Sequence, residues 1–170
     1  MGSRAEADLV GFDDFANART QQLFRVAYLM CGDWHEAQDL VQTCLAKLFV
    51  SWNRIHRVEN LEGYARKVLL HTYLSQRRLK RSREIPTAEF GERYAPDDDP
   101  ELRLTLIAAL RELPPRNRAV VVLRYFEDYS VEAVADLLGT TVPAIKSINT
   151  RSLRQLRTVL GTDGALLLQD

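Results

Sequence analysis

The sequence predicts an all-α protein made of two small helical domains joined by an extended acidic linker. Three observations carry this prediction. Apolar residues recur at intervals of three and four over most of the chain, and no segment shows the alternation of period two that a half-buried strand requires. A stretch rich in proline and acid then interrupts the helical pattern near the middle. With 170 residues and 46% hydrophobic content, the chain is long enough for one domain or two small ones and apolar enough to fold.

The first helix is expected from about Leu9 to Cys31, burying Phe12, Phe15, Leu23, Val26, Ala27 and Met30. Asp33-Trp-His-Glu36 has the spacing of a capping box and opens a second helix, whose stripe is Ala37, Leu40, Val41, Cys44, Leu45, Leu48 and Phe49. A loop from Trp52 to Asn60 leads into a third helix from Leu61 to Arg83. These elements form the first domain, residues 9–83.

Residues 84–100 carry three prolines, a glycine and clustered acids without any periodicity, so they read as the linker. On sequence alone it is either a functional strap or a solvated loop.

The second domain, residues 101–160, ends in the best-punctuated stretch of the chain. Ser130 stands as N-cap before Val131, Val134, Ala135 and Leu138, and Gly139 follows where a left-handed cap is needed. The next helix opens on a threonine cap with Pro143 in its first turn, where a missing N–H costs nothing. It buries Ile145, Ile148, Leu153, Leu156 and Leu160, which turns Lys146, Ser147, Thr150, Arg151 and Arg154 outward. Short polar and basic side chains on one side of a helix can reach base edges and phosphates together, as a major groove requires. The alternative is an ordinary corner between two helices. Residues 161–170 form a C-terminal tail, docked or free.

A net charge of zero conceals a strong segregation. Residues 1–83 hold thirteen Lys or Arg against nine Asp or Glu, residues 84–101 one against seven, and residues 102–160 nine against five. Counterion release depends on local basic patches, so each domain remains able to bind nucleic acid. Cys31 and Cys44 lack metal-ligand spacing and fall on apolar faces, as buried reduced thiols do. No cofactor, metal cluster or catalytic set is visible, which argues against an enzyme. The absence of a secretory signal and of a membrane-length apolar run places the protein in the cytoplasm.

From Arg66 to Arg83 the third helix carries seven basic residues and no acid, with Tyr64, His71 and Tyr73 among or beside them. Cations that track phosphates and rings that stack on bases suit a single strand. A solvated basic helix with core tyrosines fits the same residues. On the second helix Asp39 and Gln42 lie one turn apart on a mixed polar face, either a protein-docking surface or plain solvated surface. A lone helix-turn-helix with few cations binds weakly and is commonly reinforced by dimerisation, but no heptad seam for a homo-oligomer is present. Two DNA-contacting modules on one linker could supply avidity instead, provided that a larger platform holds them.

Five segments in this order, Ala37-Gln-Asp-Leu-Val-Gln42, Gln76-Arg-Arg-Leu-Lys-Arg81, the acidic linker, Leu113-Pro-Pro-Arg116 with Val120-Val-Val-Leu-Arg-Tyr-Phe126, and the helix-turn-helix, resemble a bacterial RNA polymerase sigma factor of the extracytoplasmic-function (ECF) type. The spelling Lys146-Ser147, Arg151, Leu153, Leu156-Arg157 resembles the actinobacterial branch.

The resemblance implies a division of labour. Asp39, Leu40 and Gln42 would dock on the clamp of the largest subunit of core RNA polymerase. Asn53, Arg54, Asn60, Tyr64, Arg66, Lys67, His71 and Arg77 would capture and stabilise the melted minus-ten element of promoter DNA. Thr141, Lys146, Ser147, Thr150, Arg151 and Arg154 would read the minus-thirty-five element as duplex, with the C-terminal domain also meeting the polymerase flap. The linker would thread toward the RNA path, and an anti-sigma factor is a common partner in the family.

Pro143, Ala144 and Ile148 depart from the family pattern in the first turns of the recognition helix, so the minus-thirty-five sequence does not carry over. The rival readings are a stand-alone helix-turn-helix regulator and a helical protein-interaction module.

Overall fold

The computed structural model describes residues 2–83 and 100–164, with side chains over 11–82 and 101–161. Among these residues the regular structure is entirely helical: α1 (Gly2–Cys31), α2 (Trp34–Ile55), α3 (Leu61–Arg83), α4 (Pro100–Arg111), α5 (Pro115–Tyr125), α6 (Val131–Leu138) and α7 (Val142–Gly164). They divide into two compact units. One holds α1 as far as Ala27, α2 from His35, and α3; the other holds α4 to α7 with residues Tyr28–Trp34.

In the first unit Leu23, Val26 and Ala27 of α1 are buried together with Ala65, Leu69, Leu70 and Tyr73 of α3 and a stripe of α2. That stripe is Ala37, Leu40, Val41, Cys44, Leu48, Trp52 and Ile55. Full burial of a leucine contributes about 1.5–3 kcal/mol, and Leu40, Leu48, Leu69 and Leu70 all reach it.

Three expectations change here. Helix α1 starts at Gly2 rather than near Leu9, because Ala5, Glu6 and Ala7 are good helix formers and no proline stops them. Helix α2 continues through Trp52 to Ile55, since both residues prolong its stripe and gain burial; only the few residues up to Asn60 form the connection. Leu45 is half-buried and Phe49 is 45% exposed, which makes the stripe narrower than the composition of α2 suggested. Phe49 instead meets Phe12 edge-on at 5.1 Å, and Phe12 and Phe15 pack on Trp52 at 5.4 and 5.5 Å.

Asn60 begins α3 as a side-chain cap, its Oδ1 accepting from the Gly63 N–H at 2.9 Å. A Cβ on Gly63 would stand 2.5 Å from the Asn60 amide, so glycine makes room for this cap. Polar ties then join α2 to α3. The Cys44 thiol donates to the Ala65 carbonyl at 3.6 Å, and burial pushes its pKa up to about 12 although Lys47 lowers it somewhat. Both cysteines are free and buried. Lys47 Nζ donates to the hydroxyl of buried Thr72 at 3.0 Å.

In the second unit α7 packs against α4, α5 and α6 around Ile107, Leu110, Leu113, Val120, Val121, Leu123, Val134, Leu138, Ile145 and Leu156. Pro115 opens α5 in its first turn. Arg118 is buried, and its guanidinium donates to the carbonyls of Leu110, Leu113 and Arg111 at 2.8, 3.0 and 3.2 Å. It thereby supplies donors to the last turn of α4, where cations are favoured.

The helix-turn-helix punctuation is as expected. Ser130 Oγ accepts from the Ala133 N–H at 3.0 Å, and Gly139 is left-handed at φ 61°. Thr141 Oγ1 accepts from the Ala144 N–H at 3.3 Å. On α7, Ile145 and Leu156 are fully buried, whereas Ile148, Leu153 and Leu160 are half-buried and Ser152, absent from the expected stripe, is buried. Contact with three neighbours covers a wider arc of α7 than one apolar stripe. The helix breaks at Gly161, with φ 69° and ψ −167°.

No helix among the described residues is long and apolar enough to cross a membrane. The linker, apart from Pro100, and the end of the tail lie outside the described residues.

Candidate nucleic-acid interface

The outer side of α7 presents Lys146, Ser147, Thr150, Arg151 and Arg154, all exposed, with exposed Thr141 at its head. Steps of one, three and four residues keep these side chains on one side of a helix. Arg151 Nε reaches the Ser147 carbonyl at 3.4 Å, a long and weak contact that leaves its guanidinium toward solvent. Thr141 has a structural duty as well, since its hydroxyl caps the helix.

Two uncharged residues anchor α7 from behind. Asn149 Nδ2 donates to the Tyr125 hydroxyl at 2.9 Å and Gln155 Nε2 to the Glu112 carbonyl at 3.0 Å. Sequence reasoning passed over this pair. Their position beside the apolar stripe was the available signal.

Along α3 the exposed residues Lys67, His71, Arg78 and Arg81 recur at steps of four, seven and three, with half-buried Tyr64 one turn before them. They lie on one side of the helix, with half-buried Leu74 and Ser75 between His71 and Arg78. Arg78 and Arg81 belong to this stripe although they were absent from the expected contact set. The other residues singled out on this helix lie elsewhere on its surface or in the core. Tyr73 is only 1% exposed and is a core residue. Arg77 sits on the α2 side, where it pairs with Glu36 at 2.7 Å, and its guanidinium lies 5.4 Å from the Tyr73 ring centre. Arg77, expected at the minus-ten element, is thus engaged by a carboxylate within the first unit. Arg66 is half-buried on that same flank, off the stripe.

Asn53 and Arg54 are exposed on the last turn of α2 rather than on a loop. Asn60 is exposed too, but its side-chain oxygen is spent on capping α3.

On α2, Asp39 and Gln42 are exposed one turn apart, whereas Leu40 is fully buried. Leu40 therefore belongs to the core and cannot present itself to a partner. The Asp39 side of the helix continues through exposed Ala46, Phe49, Val50 and Asn53. Its centre is apolar, a feature hidden while Phe49 was assigned to the interior. No group of three or more metal-ligating side chains occurs among the described residues.

Cap geometry, outward cations and an anchored second helix define the class: a helical protein that carries a helix-turn-helix suited to DNA. Comparison with known proteins narrows this. Residues 16–83 match the family model of sigma-70 region 2, and residues 109–158 that of sigma-70 region 4. The RNA polymerase sigma-E factor of Streptomyces coelicolor is 33% identical over 154 residues, covering 88% of this chain and 86% of that protein. The ECF RNA polymerase sigma factor SigG of Mycobacterium tuberculosis is 30% identical over 82% of this chain and 46% of its own length. Among solved structures, the sigma factor RpoE of Bartonella quintana, in complex with the anti-sigma factor NepR, superposes with a TM-score of 0.69 at 25% identity, covering 89% of this chain and 98% of that one. The chain belongs to the sigma-70 family and is an alternative sigma factor of the ECF type. As such it serves core RNA polymerase and directs promoter-specific transcription initiation.

Proposed function

We propose that the two units divide promoter recognition as sigma regions two and four, with domain limits at 9–83 and 101–160. In the first, exposed Asp39 and Gln42 dock on the clamp of the polymerase's largest subunit, and the apolar centre at Phe49 and Val50 extends that contact. Asn53, Arg54 and the α3 stripe of Tyr64, Lys67 and His71 take the minus-ten element. Opening a duplex and flipping a base costs a few kcal/mol; stacking on a ring returns about 1–3 kcal/mol per base, so Tyr64 and His71 together can offset it. In the second unit, α7 reads the minus-thirty-five duplex through Lys146, Ser147, Thr150, Arg151 and Arg154, and the polymerase flap receives this unit.

The reading makes the chain a non-catalytic, cytoplasmic specificity subunit that needs no homo-oligomer. An anti-sigma partner belongs to the same reading, supported by the structural neighbour bound to NepR. One observation carries the whole: matched sigma regions two and four each present exposed basic and polar residues on one side of a helix.

Gel filtration with bacterial core RNA polymerase tests it. Co-elution of the full chain and its loss in Asp39→Lys, with helicity unchanged, is the expected result. Failure of the folded wild type to co-elute returns the argument to a stand-alone regulator.

A further inference from the structure

Glu36 stands in the first turn of α2, and each of its carboxylate oxygens holds one cation of α3. Oε2 lies 2.7 Å from Arg77 Nη2, and Oε1 lies 2.5 Å from Lys80 Nζ. The Glu36 and Arg77 side chains are only 23% and 17% exposed, so salt screens this pair less than a surface pair. A carboxylate in the first turn of a helix is also favoured by the helix dipole, which keeps Glu36 in place without nucleic acid. One anion that offers separate oxygens to a guanidinium and an ammonium group reproduces what a backbone phosphate would offer them.

We infer that Glu36 is an internal substitute for phosphate, withholding Arg77 and Lys80 from nucleic acid and leaving strand contact to the exposed stripe of Lys67, His71, Arg78 and Arg81. The inference rests on the reading of α3 as a DNA surface. Its consequence is specificity. Phosphate contacts add affinity for every sequence alike, and what matters among many competing sites is the ratio of specific to non-specific binding. Glu36 keeps that ratio up by removing two cations from the non-specific side, and is thus a specificity-determining residue that touches no DNA.

Fluorescence anisotropy of the full chain with a labelled single-stranded oligonucleotide of mixed sequence, over a salt series, tests this. Glu36→Gln should bind several-fold more tightly at low salt, and its plot of log affinity against log salt should steepen by about 0.7 to 1.4, the slope of one or two added phosphate contacts on a single strand. Adding Arg77→Gln and Lys80→Gln should return binding to the wild-type level, and those two changes alone should leave binding close to wild type. Unchanged affinity and slope in Glu36→Gln overturn the inference. So does a gain that survives removal of both cations, which would mark simple loss of a repelling charge, or a loss of binding on removing the two cations from the wild type. Lys67→Gln with Arg78→Gln separates the two levels. If that pair fails to weaken binding, α3 is not the DNA surface and the inference falls with that reading; if it weakens binding while Glu36→Gln is neutral, only the Glu36 inference falls.

Discussion

Helices α3 and α7 each carry cations on an outward face, but they are tied to their neighbours differently. Asn149 and Gln155, both uncharged, anchor α7 through Tyr125 and Glu112, and Lys146, Arg151 and Arg154 remain exposed. Part of the attachment of α3 is its own charge, since Arg77 and Lys80 pair with Glu36. Counting cations on a helix therefore overstates the surface they offer. What the neighbouring helix presents decides how many of them face outward.

The largest expected effect bears on α2, the helix to which α3 is tied. Leu40→Ala should destabilise the first unit by about 2–5 kcal/mol, the usual cost of such a truncation in a packed core. Thermal or denaturant unfolding measures it. An unchanged midpoint with lost polymerase binding would return Leu40 to the docking face.

Next come paired substitutions that set the two helices against each other. Arg151→Ala on α7 should cost about 1–3 kcal/mol of promoter discrimination, measured as transcription from the cognate promoter against a variant with an altered minus-thirty-five element. Tyr64→Ala with His71→Ala on α3 should leave duplex recruitment intact and slow strand opening by an amount set by about 1–3 kcal/mol per lost base stack. A pre-melted template should rescue this pair and not Arg151→Ala. Rescue of both or of neither would erase the functional difference between the helices.

The smallest effect concerns the turn that presents α7. Ser130→Ala removes the acceptor for the Ala133 N–H and should destabilise the second unit by about 1 kcal/mol, visible as a lower unfolding midpoint with little change in promoter preference.

The helix-turn-helix was legible because its signals are local. A serine cap, a left-handed glycine and a proline in a first turn each act within a few residues; α6 begins and ends, and α7 begins, where they indicate. The exposed set on α7 followed from periodicity alone. On α3 periodicity was equally clear, yet basic residues occur on both flanks of its apolar stripe, and nothing local says which flank α2 will cover. For that reason the sequence left Tyr73 open between core and surface, and the structure places it in the core and pairs Arg77 with Glu36. Leu40 followed a motif whose polar members are exposed while its apolar member is packed inward.

The sequence by itself determined the helical class, the order of the elements, the break in composition between two domains, and the polar face of α7, because caps, prolines and apolar periods act at short range. Tertiary structure decided the continuation of α2 through Trp52 and Ile55, the diversion of Glu36 to two cations some forty residues away in the chain, and the division of α3 into a held flank and an exposed stripe. Burial and charge pairing depend on which helices meet, and that information is spread over distant residues rather than written in any one segment.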